Sequence, residues 1–230
     1  MRIVFVRHGH PDYTTDTLTE LGHRHAAAAA QRIRDEGITE IYASPMGRAQ
    51  QTAQHTADLL GLPVHTLPFM REVRFRPMDE NDTIDHKGNP WLILRDKVAA
   101  GEAIDNPNWQ EEDPYCRSML VASVETIVAG ADEWLRELGY TREGQYYRCG
   151  AGTDKTIALF SHGGSSVAVM ARMFNIPYIQ ACSAITPNFT GVTVVTLPDR
   201  EGELVNPRFE ILNDARHIKG MTEIIAAPAE

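Results

Sequence analysis

Residues 1–11, Met1-Arg2-Ile3-Val4-Phe5-Val6-Arg7-His8-Gly9-His10-Pro11, decide the fold. Ile3 to Val6 is an apolar run, β-branched at Ile3, Val4 and Val6, with no Gly or Pro inside it. A strand reads this way when helices cover both faces of its sheet. Arg7, His8 and Gly9 follow at once, so a cation, an imidazole and a glycine stand at the strand's carboxyl end. Ligand crevices of α/β sheets form at such ends. The imidazole is a candidate nucleophile and the guanidinium an anion partner.

Outward from this strand, the pattern alternates. Leu18-Thr19-Glu20 opens a helix that runs to about Glu36, with Thr19 as N-cap, the Ala26–Ala30 block suited to close packing, and Gly37 as its stop. Ile38 to Ala43 is a second strand. Ser44-Pro45 reads as an N-cap followed by Pro at the first helical position, so a helix is expected over Gly47–Leu60 with Arg48 in its first turn. Leu62 to Leu67 is a third strand, followed by Phe69 to Val73. From Arg76 to Cys116 the alternation stops: prolines stand at 77, 90, 107 and 114, and ten acidic residues face four basic ones. With only a helical patch at Trp91–Ala100, this stretch is expected to be an insertion, lid-like in character. Ser118 to Leu138 is a long amphipathic helix, and a polar connection with Gly144, Gly150 and Gly152 follows. Thr156 to Phe160 is a second strongly buried strand ending in Ser161-His162-Gly163-Gly164, with a helix over 165–174 behind it. Thr190–Leu197 and Arg208–Asn213 read as antiparallel strands at a sheet edge. The expectation is one α/β domain over residues 1–230, three-layered, with a mostly parallel sheet, helices on both faces, an antiparallel edge, and 76–116 as a lid-like insertion within it.

With 22 basic against 31 acidic residues the formal charge is −9, which disfavours nucleic acid or an anionic membrane as partner. An anion site must therefore be local. Cys116, Cys149 and Cys182 form no CxxC, so neither a disulfide framework nor a zinc ribbon is expected. No apolar run approaches a membrane span, and the cytoplasm is the expected compartment.

Two strands each end in a His followed by Gly, where backbone N–H groups and a helix N-terminus favour anions. Arg7 and Arg48 add permanently charged forks that suit phosphate oxygens. A neutral imidazole attacks phosphorus when the phosphoryl oxygens are neutralised, and Glu72 is a candidate proton donor to the leaving oxygen. Arg7-His8-Gly9, Leu18-Thr19-Glu20-Leu21-Gly22, Ser44-Pro45-Met46-Gly47-Arg48-Ala49-Gln50-Gln51-Thr52-Ala53, Arg71-Glu72-Val73 and Ser161-His162-Gly163 together resemble, in that order, the histidine phosphatase superfamily, also called phosphoglycerate mutase-like. The resemblance implies catalysis by His8, Glu72 and His162, and substrate binding by Arg7, Arg48, Gly9 and Gly163. It implies a small phosphorylated substrate and neither metal nor other cofactor. Two departures stand out. Many members have Thr where this chain has His10, and the segment after Val73 lacks the usual Phe-Gly continuation, which keeps Asp79 and Glu80 as alternative acids.

The resemblance favours a phosphatase. Family mutases hold the substrate carboxylate partly with an adjacent arginine pair in this insertion, and no Arg-Arg pair occurs between Arg76 and Cys116. Two further readings compete. His8-Gly9-His10 has the HxH form of barrel metal hydrolases, though that fold needs a longer chain and further carboxylates. A non-catalytic phosphate-binding module would not need both histidines, both arginines and an acid. Arg71, Arg74 and Arg76 are either a second anion site or a solvated segment. Trp91, Trp109 and Tyr115 either close over the substrate or pack a satellite core.

Overall fold

The computed structural model describes residues 1–151 and 153–221, so Gly152 lies outside the described residues. The strands are β1 (Arg2–Arg7), β2 (Pro11–Asp12), β3 (Thr17–Leu18), β4 (Glu40–Ala43), β5 (Val64–Thr66), β6 (Tyr140–Glu143), β7 (Tyr146–Cys149), β8 (Thr156–Ser161), β9 (Val192–Thr196), β10 (Leu204–Val205) and β11 (Arg208–Asp214). The α-helices are α1 (Glu20–Ile33), α2 (Gly47–Leu60), α3 (Pro90–Ala99), α4 (Leu120–Glu137), α5 (Gly163–Phe174) and α6 (Tyr178–Ala184). Six strands form the central sheet in the order β11-β9-β1-β8-β4-β5. β1, β8, β4 and β5 pair in parallel, and β9 pairs antiparallel with both β1 and β11. The expected antiparallel pair is therefore present, with β9 inside the sheet and β11 at its edge.

The alternation in β1 sorts two cores. Val4 and Val6 pack with Ala29, Ile33, Ala53 and Ala57 of α1 and α2, whereas Ile3 and Phe5 join residues of α4, α5 and α6 on the other face. This is the three-layer α/β arrangement. Both faces of β1 are covered, which is why its sequence is continuously apolar.

Two local expectations need correction. Ser44 does not cap α2: Met46 is the N-cap and makes no side-chain cap bond, and the carboxylate that accepts from Gly47 N at 2.8 Å is that of Asp16. The polar connection after α4 contains a hairpin, β6 and β7, which with β10 makes a separate three-stranded sheet. The short helix α6 follows Pro177, a fixed-φ entry to a helix.

The segment 76–116 is pinned at its neck, where Met78 N donates to Arg117 O at 3.0 Å and Met119 N to Arg76 O at 2.9 Å. Ile93, Leu94, Trp109 and Tyr115 enter the main core. Its carboxylates are partly neutralised internally: Arg117 pairs with Asp82 and Asp113, and Lys97 with Glu102 and Glu112. On α4, Gly130 leaves room for the ring of Phe69, whose Cγ would lie 2.3 Å from a Cβ there.

Candidate active site

β1 and β8 are adjacent and in register, Arg7 opposite Ser161, so the residues just beyond them meet. His8 and His162 face each other with ring centroids 5.2 Å apart, 1% and 0% exposed. His8 Nδ1 lies 2.8 Å from Gly9 O, which can only accept, so the proton sits on Nδ1 and Nε2 carries the free lone pair. The neighbouring turn is held by Gly9 N donating to Thr52 Oγ1 at 3.0 Å, and Thr52 Oγ1 donating to Arg48 O at 2.7 Å. Gly9 is required because a Cβ would lie 2.5 Å from Gly22 O.

His162 Nε2 lies 2.8 Å from Ser44 Oγ. That oxygen accepts from Met46 N at 3.2 Å, and among the described residues Nε2 is the one acceptor within reach of its hydroxyl proton, which places that proton toward Nε2 and the imidazole proton on Nδ1. Burial, then the arginines at 7 and 48, hold the His8 imidazole well below its ordinary value. Burial, His8 and the same two arginines do the same for His162. Both rings are neutral at pH 7.

Arg48, 5% exposed, leans on Asp16, whose Oδ1 accepts from Arg48 Nη1 while its Oδ2 accepts from Gly47 N at 2.8 Å. Arg7 Nη1 donates to Pro187 O at 2.8 Å, and its guanidinium lies 4.6 Å over the Phe189 ring. Gly163 opens α5 beside the Arg7 guanidinium. With those contacts made, Arg7 Nε, Arg48 Nε and His162 Nδ1 remain buried with no protein hydrogen-bond partner. Unsatisfied buried donors are costly, and three of them beside one imidazole suit an anion.

Glu72 reaches the N-terminus of α5. Its Oε1 accepts from Val73 N at 2.9 Å and Ser165 N at 3.0 Å, and its Oε2 from Gly164 N at 3.3 Å. Oε2 thus keeps only one long bond. Val73 and Trp91 lie against Gly164, which brings the start of α3 over this end of α5. Asp79 and Glu80 are exposed, and Asp79 Oδ1 accepts from Asn81 N at 2.9 Å, so neither joins the cluster.

His10 turns away from the pair: its Nδ1 bonds Thr19 Oγ1 at 2.9 Å, and its ring meets Phe189 edge-on at 5.4 Å. It ties the N-cap of α1 to the site rather than forming a chelate with His8. Among the described residues no three His, Cys, Asp or Glu side chains are grouped to hold a metal ion. His23 and His55 meet across α1 and α2, with ring nitrogens 3.1 Å apart, a pairing that spacing within one helix could not reveal. Trp109 and Tyr115 are core residues, and Trp91 packs edge-on against Phe75. Asp16 and Phe189 are the site neighbours that sequence reasoning missed, and Ser44 reads there only as a helix cap and motif residue. Only Phe189 left a trace, as a lone aromatic ahead of an apolar strand.

Among solved structures, a phosphoserine phosphatase from Entamoeba histolytica in complex with phosphoserine superposes with a TM-score of 0.62 at 22% identity, covering 94% of this chain and 98% of that one. A mycobacterial glucosyl-3-phosphoglycerate phosphatase gives a TM-score of 0.63 at 22% identity, covering 92% and 98%. They share the fold. A probable phosphoglycerate mutase of Yersinia pestis (strain Pestoides F) is 39% identical over 94 residues, 37% of this chain and 43% of that protein. The chain thus aligns with less than half the length of the curated relatives it matches. The sequence profile of the histidine phosphatase superfamily (branch 1) matches residues 3–208, and the chain belongs to that family.

Proposed function

We propose that the chain is a metal-independent phosphomonoesterase that works through a phosphohistidine on His8. The observation that carries this reading is the trio of buried, unpartnered N–H donors, Arg7 Nε, Arg48 Nε and His162 Nδ1, beside an imidazole whose Nε2 lone pair is free. His8 Nε2 attacks phosphorus in line, and the P–O bond of the ester breaks as Glu72 gives its Oε2 proton to the leaving oxygen. Glu72 then takes a proton from water, whose oxygen attacks phosphorus; the P–N bond breaks, releasing phosphate and neutral His8. Arg7, Arg48 and His162 neutralise the equatorial oxygens throughout, and Gly9 and Gly163 let the backbone approach them.

The insertion 76–116 forms one wall of the substrate pocket, with Trp91 over the α5 N-terminus, and acts as a lid that selects the leaving group. A small phosphorylated metabolite is the substrate class, in keeping with the phosphoserine and glucosyl-3-phosphoglycerate named for the structural neighbours. The cytoplasm suits Cys116, Cys149 and Cys182, which are free thiols. No helix among the described residues is long and apolar enough to cross a membrane.

Mutase activity is the second reading, favoured by the name of the Yersinia relative. It returns the phosphoryl group to a second substrate hydroxyl instead of to water. Incubation with 3-phosphoglycerate, read for isomerisation against phosphate release, separates the two: release without isomerisation is expected, and efficient isomerisation sinks the phosphatase reading. His8→Ala is expected to abolish turnover of p-nitrophenyl phosphate with the circular dichroism spectrum unchanged, and chelator is expected to leave wild-type turnover intact.

A further inference from the structure

The loop between α6 and β9 lies directly under the proposed site yet contributes no reacting group. Phe189, 3% exposed, is its centre: the ring meets the Arg7 guanidinium at 4.6 Å, His8 at 5.7 Å and His10 at 5.4 Å. The loop backbone is bonded to the end of β1. Thr190 N donates to Arg7 O at 3.0 Å and His8 O at 3.3 Å, and Pro187 O accepts from Arg7 Nη1.

On its other side the loop is held by the Asn213 amide and by His217, whose Nε2 lies 3.1 Å from Thr190 Oγ1. Asn213 Oδ1 accepts from Asn188 N at 2.8 Å, and Asn213 Nδ2 donates to Thr186 O at 2.7 Å. Its own N–H donates to Thr193 Oγ1 at 3.0 Å, across a break in the β9–β11 register. Asn213 has φ 50°, a left-handed conformation that Asn tolerates better than most residues. Gly191 makes room for it, since a Cβ there would lie 2.3 Å from Asn213 Oδ1. A bulge, a left-handed asparagine and a glycine thus combine to aim one side chain into this loop.

We propose that Asn213 is a positioning residue for the phosphate site: it fixes loop 186–191, which aligns the Arg7 guanidinium and backs the His8 ring. This rests on the reading of His8 and Arg7 above. Asn213 touches neither substrate nor reacting atom. Its effect runs through the Pro187 carbonyl and the Phe189 face, and misplacement of a catalytic group by about 1 Å costs on the order of 100-fold in rate.

The test uses the full chain, four single variants and the Asn213→Gly/Gly191→Ala double variant. Asn213→Gly removes the amide and keeps the left-handed backbone; Asn213→Asp keeps the acceptor toward Asn188 N and loses the donor toward Thr186 O. Gly191→Ala pushes the amide out from the other side, and Leu212→Ala, at an exposed position next along β11, reports what strand destabilisation alone does. Turnover of p-nitrophenyl phosphate and calorimetric binding of inorganic phosphate are both read, with Tm alongside.

Asn213→Gly is expected to lower kcat about tenfold or more and to weaken phosphate binding, with Asn213→Asp intermediate and Leu212→Ala like wild type. Gly191→Ala is expected to reproduce the Asn213→Gly loss and to add nothing on that background. Wild-type kcat and phosphate affinity in Asn213→Gly would overturn the proposal, as would losses tracking Tm equally in Leu212→Ala, or multiplicative losses in the double variant. If wild type binds phosphate but turns over no ester, the phosphatase reading fails and phosphate affinity still tests the loop. If wild type binds no phosphate, both fail.

Discussion

Ser44 Oγ lies 2.8 Å from His162 Nε2, and with its hydroxyl proton directed there this bond leaves the His162 proton on Nδ1, toward the proposed phosphate site. With Ser44 taken away, the imidazole is free to carry its proton on either nitrogen. Ser44→Ala is expected to cost about 1–2 kcal/mol of transition-state stabilisation, roughly 5- to 30-fold in kcat/KM, together with a fall in Tm from the buried bonds lost to Met46 N and His162 Nε2. Steady-state kinetics on a phosphate monoester read this directly. An unchanged kcat/KM would show that the tautomer is set by something else.

Both buried imidazoles sit well below their ordinary value, so the folded chain binds fewer protons than the unfolded one once pH drops under about 6.5. Stability contributed by these groups is full above that value and falls as pH decreases, until the folded rings protonate. Urea midpoints measured from pH 7.5 down to 5 are expected to decline, and the decline to be shallower in His162→Gln. Because His8 stays neutral below the ordinary range, kcat is expected to show no fall centred near pH 6.5.

Glu72 is held by three backbone donors, which Gln can reproduce through its own Oε1 for two of them. Glu72→Gln is therefore expected to keep the fold and lose the proton transfer. For an alkyl phosphate the loss is expected to be about 100-fold or more in kcat. p-Nitrophenolate leaves without protonation, so that substrate is expected to give a burst of nitrophenol followed by slow turnover, as phosphohistidine accumulates. A linear time course at wild-type rate would remove Glu72 from the mechanism.

Asp16 both caps the first turn of α2 and holds Arg48. Asp16→Ala is expected to cost about 1 kcal/mol in urea denaturation and to raise KM for phosphate esters, while Asp16→Asn restores the cap but not the charge pair. Equal KM in the two variants is the expected signature of a lost charge clamp. Recovery of KM in Asp16→Asn would assign the effect to the helix end instead.

β1, β8, α1 and α2 were legible because burial on both faces and helix termini leave short-range signatures: Val4 and Val6 alternate with Ile3 and Phe5, Thr19 caps, and Gly61 ends α2. Arg7, His8 and His162 meet because β1 and β8 are parallel neighbours, Arg48 follows β4 beside them, and Glu72 arrives through its bonds to the N-terminus of α5. Asp16 and Asn213 were not legible, because their partners lie 31 to 32 and 25 to 27 positions away and neither residue type is unusual in a loop or strand end. Ser44 misled in an instructive way. Ser-Pro before a helix has the local form of a cap, and tertiary context instead gave the hydroxyl to an imidazole more than one hundred residues downstream. The 140–149 hairpin was hidden by its polar strands, which pair with each other and with β10 outside the main sheet.

The Phe69 ring occupies the space that Gly130 leaves on α4, three residues ahead of Glu72. Glu72, the proposed proton donor, is thus set from behind, through Phe69 and α4. On the mechanism proposed above, side-chain bulk at 130 adjusts the reach of Glu72 toward the leaving oxygen, so the range of alcohols released can be retuned without altering any residue of the proposed phosphate site.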